Sequence, residues 1–431
     1  MKTIILNQRA ERDELLSRNY LSRRAVSNAE TLLDSHLIKL ITGPRRVGKS
    51  TQALLMLRDR NFAYLNFDNR RLLDEWDADL VVRMLDEVYP GYEFLLLDEV
   101  QNLDGWDLWV SELYRNGKNL VVTGSNAKML SSEMATALTG KYLQVEMLPF
   151  SLEEFFDWHK LSLAQLGVED ATEAKALTDD YLRNGGYPET VASRGLTRSY
   201  LDTLFDSILW KDVSKRHNVR NTTDLNDLAL YLISSFCNPL SANELTRELG
   251  FSSVNTTKKF LDYLREPYLF YYLPRYNNKL RLMSKVPKKV YVVDNGFVQA
   301  KAFSLSDNLG RLLENQVFIE LTRRGYAAGT TLFYYRSRND KEVDFVVREG
   351  TRISGLVQVC YDMSNEKTAR REIESLTECA GELKCDRLLV VTNAEERQIE
   401  RDGYSISVVP ITKFSTTATG GAGIGGCRWS L

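Results

Sequence analysis

Apolar residues gather in short runs along the first third of the chain. They occupy residues 37–41 (LIKLI), 62–67 (FAYLNF), 94–97 (FLLL) and 120–122 (LVV), with helical or turn-like text between them. Such runs, spaced by crossover segments, predict buried parallel strands in an α/β sheet. A fifth run, 142–147 (YLQVEM), alternates apolar and polar positions and predicts an edge strand. Residues 1–35 carry many charges and leucines at Leu15, Leu16, Leu21, Leu32 and Leu33, which predicts short amphipathic helices. Past Pro149 and Ser151 the period becomes helical to about residue 240, with a break at Gly185-Gly186-Tyr187-Pro188. Residues 241–290 predict two helices followed by two strands, and 291–413 return to mixed strand and helix. The end of the chain, STTATGGAGIGGCRWSL from Ser415, has no apolar period and predicts disorder. The expected divisions are therefore 1–35, 36–150, 151–240, 241–290, 291–413 and a tail at 414–431.

Composition narrows the class. The chain has 431 residues, 43% hydrophobic and 26% charged, enough for two to four soluble domains. Lys and Arg number 56 against 58 Asp and Glu, a net charge of −2. That excludes a uniformly basic nucleic-acid coat and an acidic disordered chain. The near-neutral sum hides opposed segments. Residues 151–180 hold eight acids and two bases, a net of −6, whereas 258–289 hold nine bases and two acids, a net of +7. The five cysteines (Cys237, Cys360, Cys379, Cys385, Cys427) are odd in number and lack a CxxC pair, so they predict neither a disulfide framework nor a zinc site. No apolar stretch suits a signal peptide or approaches the roughly 20 residues of a membrane span. A cytoplasmic protein without a membrane partner is expected.

The candidate chemistry begins at Gly43-Pro44-Arg45-Arg46-Val47-Gly48-Lys49-Ser50, a match to G-x-x-x-x-G-K-[ST]. It follows a strand-like run and opens a helix-like one, from Thr51 to Leu57. In that context backbone N–H groups wrap phosphates and the helix N-terminus adds positive potential. Lys49 is expected to reach the β- and γ-phosphates of ATP and Ser50 to ligate Mg2+. The run at 94–97 then ends in Asp98-Glu99, a Walker B pattern. Asp98 is expected to hold Mg2+ through water and Glu99 to polarise the attacking water. A third strand end, Thr123-Gly124-Ser125-Asn126, offers Ser125 or Asn126 to sense phosphate or orient water. Arg45 and Arg46 are expected to face solvent or to add phosphate contacts.

Residues 37–150 resemble the ATP-binding core of the AAA family of P-loop ATPases. The chain as a whole, over about 30–410, is similar to bacterial and archaeal AAA-family ATP-binding proteins that carry a C-terminal domain of unknown function. The strings that carry the likeness are GPRRVGKS (43–50), LLLDEVQN (95–102), VVTGSNA (121–127), LTGKYLQVEMLPFSLEEF (138–155), GGYPE (185–189) and EVDF (342–345). The resemblance implies a P-loop sheet core followed by a helical lid. Where that group usually has Arg after Gly140, this chain has Lys141, which lacks the bidentate fork of an arginine finger.

Two further modules are expected. Ser241-Ala242-Asn243-Glu244 is a capping-box sequence, and the helices it introduces, with the strands to residue 289, have the layout of a winged helix. Lys258, Lys259, Arg265, Arg275, Lys279 and Arg281, interleaved with tyrosines, form a candidate phosphate-binding footprint for double-stranded DNA. Winged helices also bind proteins, so a protein partner or a homo-oligomer is the alternative. The order of elements from Gly310 to Cys360 resembles the restriction-endonuclease-like fold. Glu314 and Asp344 fall where that fold places metal-binding carboxylates. Gln358 stands where Glu is expected and Cys360 where Lys is expected, so the resemblance implies a degenerate second metal site. The expectation is an ATPase that controls a DNA-binding module. The alternatives are a nucleotide-dependent signalling switch and an ATP-driven nuclease.

Overall fold

The computed structural model describes every residue except 27, 127–137, 168, 280–282, 284–285, 303–307 and 417–431. It divides into two compact units. The first comprises Met1–Leu148 with Glu266–Tyr268, and the second Pro149–Arg265 with Leu269–Leu431.

The first unit begins with α1 (Lys2–Ser17) and α2 (Ala29–Asp34). It continues through β1 (Ile38–Thr42), α3 (Lys49–Met56), β2 (Phe62–Asn66), α4 (Arg70–Asp74), α5 (Ala78–Val88), β3 (Phe94–Asp98), α6 (Trp106–Arg115), β4 (Asn119–Gly124) and β5 (Tyr142–Glu146). The five strands form an entirely parallel sheet in the order β2-β3-β4-β1-β5. All four apolar runs become inner strands or the far edge, and the alternating fifth run becomes the half-exposed edge strand β5. The inner strands β3, β4 and β1 satisfy their backbone groups by pairing on both sides, whereas β2 pairs with β3 alone. Residues 1–35 hold α1 and α2 and belong to this unit. Ile4 and Ile5 of α1 are buried in the core with Ala63, Leu65, Val81, Leu85 and Val88. Of the leucines in the sequence pattern, Leu33 of α2 is buried as well.

The second unit opens with helices. They are α7 (Leu152–Trp158), α8 (Ala171–Asn184), α9 (Pro188–Ala192), α10 (Thr197–Ser207), a π-helical turn at Ile208–Ser214 and α11 (Thr222–Ser234). A full capping box forms at Ser151 and Glu154. Next come β6 (Pro239–Leu240), α12 (Ala242–Glu248), α13 (Val254–Arg265), β7 (Phe270–Pro274) and β8 (Lys288–Val292). At Ser241 the hydroxyl accepts the Glu244 N–H at 3.2 Å, as the capping-box sequence predicts. The three strands make an antiparallel sheet, β6-β8-β7. The remaining elements are α14 (Asn295–Lys301), α15 (Leu309–Arg323), β9 (Leu332–Arg336), β10 (Glu342–Glu349), β11 (Arg352–Val359), α16 (Glu366–Leu383), β12 (Leu388–Thr392), β13 (Arg397–Arg401), β14 (Tyr404–Pro410) and α17 (Ile411–Thr416). They build a six-stranded mixed sheet, β13-β14-β12-β11-β10-β9. Leu376, Cys379 and Ala380 of α16 pack on one face against Val343, Leu356 and Val390. Phe318 of α15 covers the other, beside Phe345 and stacked on Tyr291 at 4.1 Å.

The expected boundary at 290 cuts through β8, and the expected tail begins inside α17. There Phe414 and Ser415 are buried, so folded chain reaches residue 416; the rest of the tail lies outside the described residues. The four described cysteines are buried and unpaired, and Cys427 lies outside the described residues. No helix among the described residues is long and apolar enough to cross a membrane.

Candidate functional site

The glycine loop runs from the end of β1 to the start of α3. Gly43 has φ 143, and a Cβ there would sit 1.9 Å from the Met147 carbonyl oxygen, so only glycine passes this close to the backbone that follows β5. Pro44 and Val47 are buried, Arg45 and Thr51 belong to the same loop–helix junction, and Arg46 is exposed with φ 66. Gly48 caps α3 in the left-handed region. Arg23 supports this loop from below. It is buried, and its guanidinium donates to the Val47 and Leu148 carbonyls at 2.7 Å each.

The ends of β1, β3 and β4 bring the expected site residues together. Lys49 Nζ donates to the Pro44 carbonyl at 2.9 Å and lies 3.7 Å from Glu99 Oε1. Ser50 Oγ donates to Asp98 Oδ1 at 2.7 Å, and Tyr64 donates to Asp98 Oδ2 at 3.2 Å. Thr123 Oγ1 donates to Asp98 Oδ1 and accepts the Glu99 N–H at 3.0 Å. Ser125 Oγ donates to Glu99 Oε2 at 3.0 Å, and the Gln101 amide donates to both. Asn126, two residues past the end of β4, is buried. Thr123, Gln101 and Tyr64 are thus members of the site that motif spacing does not single out. Gln101 stands inside LLLDEVQN and Thr123 inside VVTGSNA, but their role needs the parallel pairing of β3 with β4.

The two adjacent carboxylates differ electrostatically. Burial pushes Asp98 up to about 6, helped by the neighbouring Glu99 charge and opposed by the Thr123 and Ser50 hydroxyls and Lys49. Burial also works to raise Glu99, but Lys49, the Gln101 amide, Arg45 and Ser125 outweigh it and hold the group below the ordinary carboxylate range. Arg45 therefore acts toward Glu99 instead of facing only solvent. A raised carboxylate that accepts a serine hydroxyl is a donor set short of a cation, and hard oxygens suit Mg2+. Glu99 itself sits at φ 52, a strained position for a residue with a Cβ, which turns its side chain back toward Lys49. Lys141 stands apart from this cluster, 3.2 Å from Ser111 Oγ.

In the second unit the structure also assembles Glu314, Asp344 and Gln358, but around an ammonium group. Lys289 of β8 is 2.9 Å from Glu314 Oε1, 2.8 Å from Glu342 Oε1 and 2.8 Å from Asp344 Oδ1. Gln358 Oε1 accepts the Asp344 N–H, and its amide donates to Glu372. Cys360 is buried, with Sγ donating to the Asp362 carbonyl. Among the described residues no set of three or more His, Cys, Asp and Glu side chains is spaced to hold a metal. The second-metal-site expectation is corrected in its composition: an internal lysine stands among the carboxylates.

The residues of the basic footprint differ in exposure. Lys258, Lys259 and Arg265 are exposed on α13, and Lys279 is exposed. Arg275 is half-buried and donates to the Arg336 carbonyl at 2.5 Å. Arg281 lies outside the described residues. Lys289, counted in the +7, is buried. The interleaved tyrosines are packing groups: Tyr271 lies against Phe318, Tyr276 against Phe333, and Tyr272 donates to the Leu261 carbonyl.

Comparison with known proteins places this geometry. Residues 35–156 match the model of a family described as an AAA domain. Residues 175–308 and 309–414 match two models described as domains of unknown function, DUF8612 and DUF4143. The uncharacterized protein MJ1544 of Methanocaldococcus jannaschii is 32% identical over 410 residues, covering 90% of each chain. An uncharacterized protein of Haemophilus influenzae is 32% identical over 394 residues, covering 87% of this chain and 94% of its own. The chain belongs to their family. In this chain an AAA-type ATPase domain is followed by the two further domains. Among solved structures, the Walker-type ATPase of Pyrococcus abyssi matches with 16% identity and a TM-score of 0.40, over 66% of this chain and 99% of that one.

Proposed function

We propose that this chain binds ATP with Mg2+ at the loop 43–51, hydrolyses it, and uses the cycle to control a DNA-binding module in its second unit. The observation that carries the reading is the convergence of Lys49, Ser50, Asp98 and Glu99, from α3 and the end of β3, within hydrogen-bond or ion-pair reach of one another. Ser50 and Asp98 would hold Mg2+, which neutralises charge on the phosphate oxygens. The Gly43–Gly48 backbone cradles phosphates, and Lys49 exchanges its Pro44 hydrogen bond for them. Glu99, kept ionised by Lys49 and Arg45, accepts a hydrogen bond from the attacking water and orients it. Ser125 lies against Glu99, and Ser125 or Asn126 would sense the terminal phosphate. Replacement of Lys49 by Ala tests this: ATP turnover is expected to fall by about 100-fold or more, and unchanged binding and turnover would refute the site.

For the second unit, α11, α12, α13 and the sheet β6-β8-β7 support a winged-helix reading. Thr257, Phe260 and Leu264 of α13 face inward, leaving Lys258, Lys259 and Arg265 exposed. His217 stacks on Tyr263 at 3.7 Å, which brings the basic stretch Lys211, Lys215, Arg216 and Arg220 beside α13. None of these seven bases forms an ion pair among the described residues. A duplex backbone is the partner that this charge fits. The nuclease-like domain is read as catalytically inactive, because Gln358 and Cys360 replace the groups that would activate water.

A further inference from the structure

Lys289 is an enclosed ammonium in the second unit, with a side chain only 2% exposed. Its three N–H donors meet three carboxylates from two elements, Glu314 on α15 and Glu342 and Asp344 two residues apart on one face of β10. The separations of 2.8–2.9 Å are those of an ammonium with carboxylates. They are longer than the roughly 2.0–2.6 Å that Mg2+ or Ca2+ requires of oxygen ligands.

The carboxylates take further partners. Tyr291 donates to Glu314 Oε1 at 2.8 Å, and the Val359 N–H donates to Asp344 Oδ2 at 3.0 Å. Arg336 lies 3.3 Å from Glu342 Oε2. Gln358, the remaining candidate ligand, spends its amide on Glu372.

We infer that Lys289 is the resident cation of this site: its ammonium occupies the place of a divalent metal, and the site becomes a metal site only when Lys289 is removed. The consequence for phosphodiester hydrolysis rests on the nuclease-like reading above; the assignment of the cation does not. The lysine also ties β8 of the small sheet to α15 and β10, so the charge that fills the site is a structural tether.

Titration of the nucleotide-free full chain with Mn2+, followed by electron paramagnetic resonance and thermal unfolding, tests the inference. Wild type, Asp344→Asn, Lys289→Ala and the double variant are compared. Wild type and Asp344→Asn are expected to bind Mn2+ identically. Lys289→Ala is expected to gain a site and to be stabilised by Mn2+, and the added Asp344→Asn to abolish both. An Asp344-dependent Mn2+ site in wild type would overturn the inference, as would a folded Lys289→Ala that gains none. If Lys289→Ala does not fold even with Mn2+, the wild-type pair decides. Metal gained without DNA cleavage supports the cation assignment and leaves the nuclease-like reading to be judged by cleavage alone.

Discussion

Asp98 shows how a functional residue works against the fold that holds it. Its carboxyl is pushed from an ordinary 3.8 to about 6 by burial and by Glu99. Below about pH 4 the folded and unfolded states both hold the proton, and ionisation costs nothing. Between about pH 4 and pH 6 the unfolded chain releases its proton first, so this group's contribution to stability falls as pH rises. Above that window the loss is complete, about 3 kcal/mol for a shift of this size. Asp98→Asn is therefore expected to stabilise the nucleotide-free protein at pH 8, with a gain that vanishes near pH 4, while abolishing turnover; urea unfolding at the two pH values reads the difference. Gly43 makes the opposite case, a residue without a charge whose hydrogen is indispensable. A Cβ at Gly43 meets the Met147 carbonyl at 1.9 Å, so Gly43→Ala is expected to lose about 1–3 kcal/mol in the same assay.

At the scale of elements, α13 carries the nucleic-acid proposal. Changing Lys258 and Lys259 to Glu is expected to weaken duplex binding uniformly across sequences. The dependence of log affinity on log salt should flatten by about one for each phosphate that is no longer neutralised. Fluorescence anisotropy at several salt concentrations checks this, and a salt slope equal to wild type would remove α13 from the interface. The strands of the first unit were legible because each inner strand is buried on both faces, and an uninterrupted apolar run has few other fates. The P-loop and the Asp98-Glu99 pair were legible because they are local in sequence. What failed to show was long-range. Ile4 and Ile5 reach the core only because α1 lies against β2 and α5. Arg23 supports a loop more than 20 residues away. Lys289 stands in a run of bases and reads as surface charge until the fold brings Glu314, Glu342 and Asp344 around it. The interleaved tyrosines read as a stacking platform for the same reason, although most of their rings pack inside the protein.

Over the whole molecule, the near-neutral charge is a sum of unlike environments. Part of the basic surplus at 258–289 is exposed on α13, and part of it is consumed inside the second unit by Lys289. The first unit also includes Glu266–Tyr268, the residues between α13 and β7. The proposed control of duplex binding by the ATP cycle is a property of the whole chain. That coupling requires hydrolysis to be separable from binding, and Glu99 is where they separate. The most direct test is Glu99→Gln, with ATP binding measured at equilibrium and turnover measured by phosphate release. Glutamine keeps the shape and loses the charge that orients water. The expected result is ATP binding within a few-fold of wild type with turnover reduced by about 100-fold or more. Turnover at the wild-type rate with ATP bound would contradict the account.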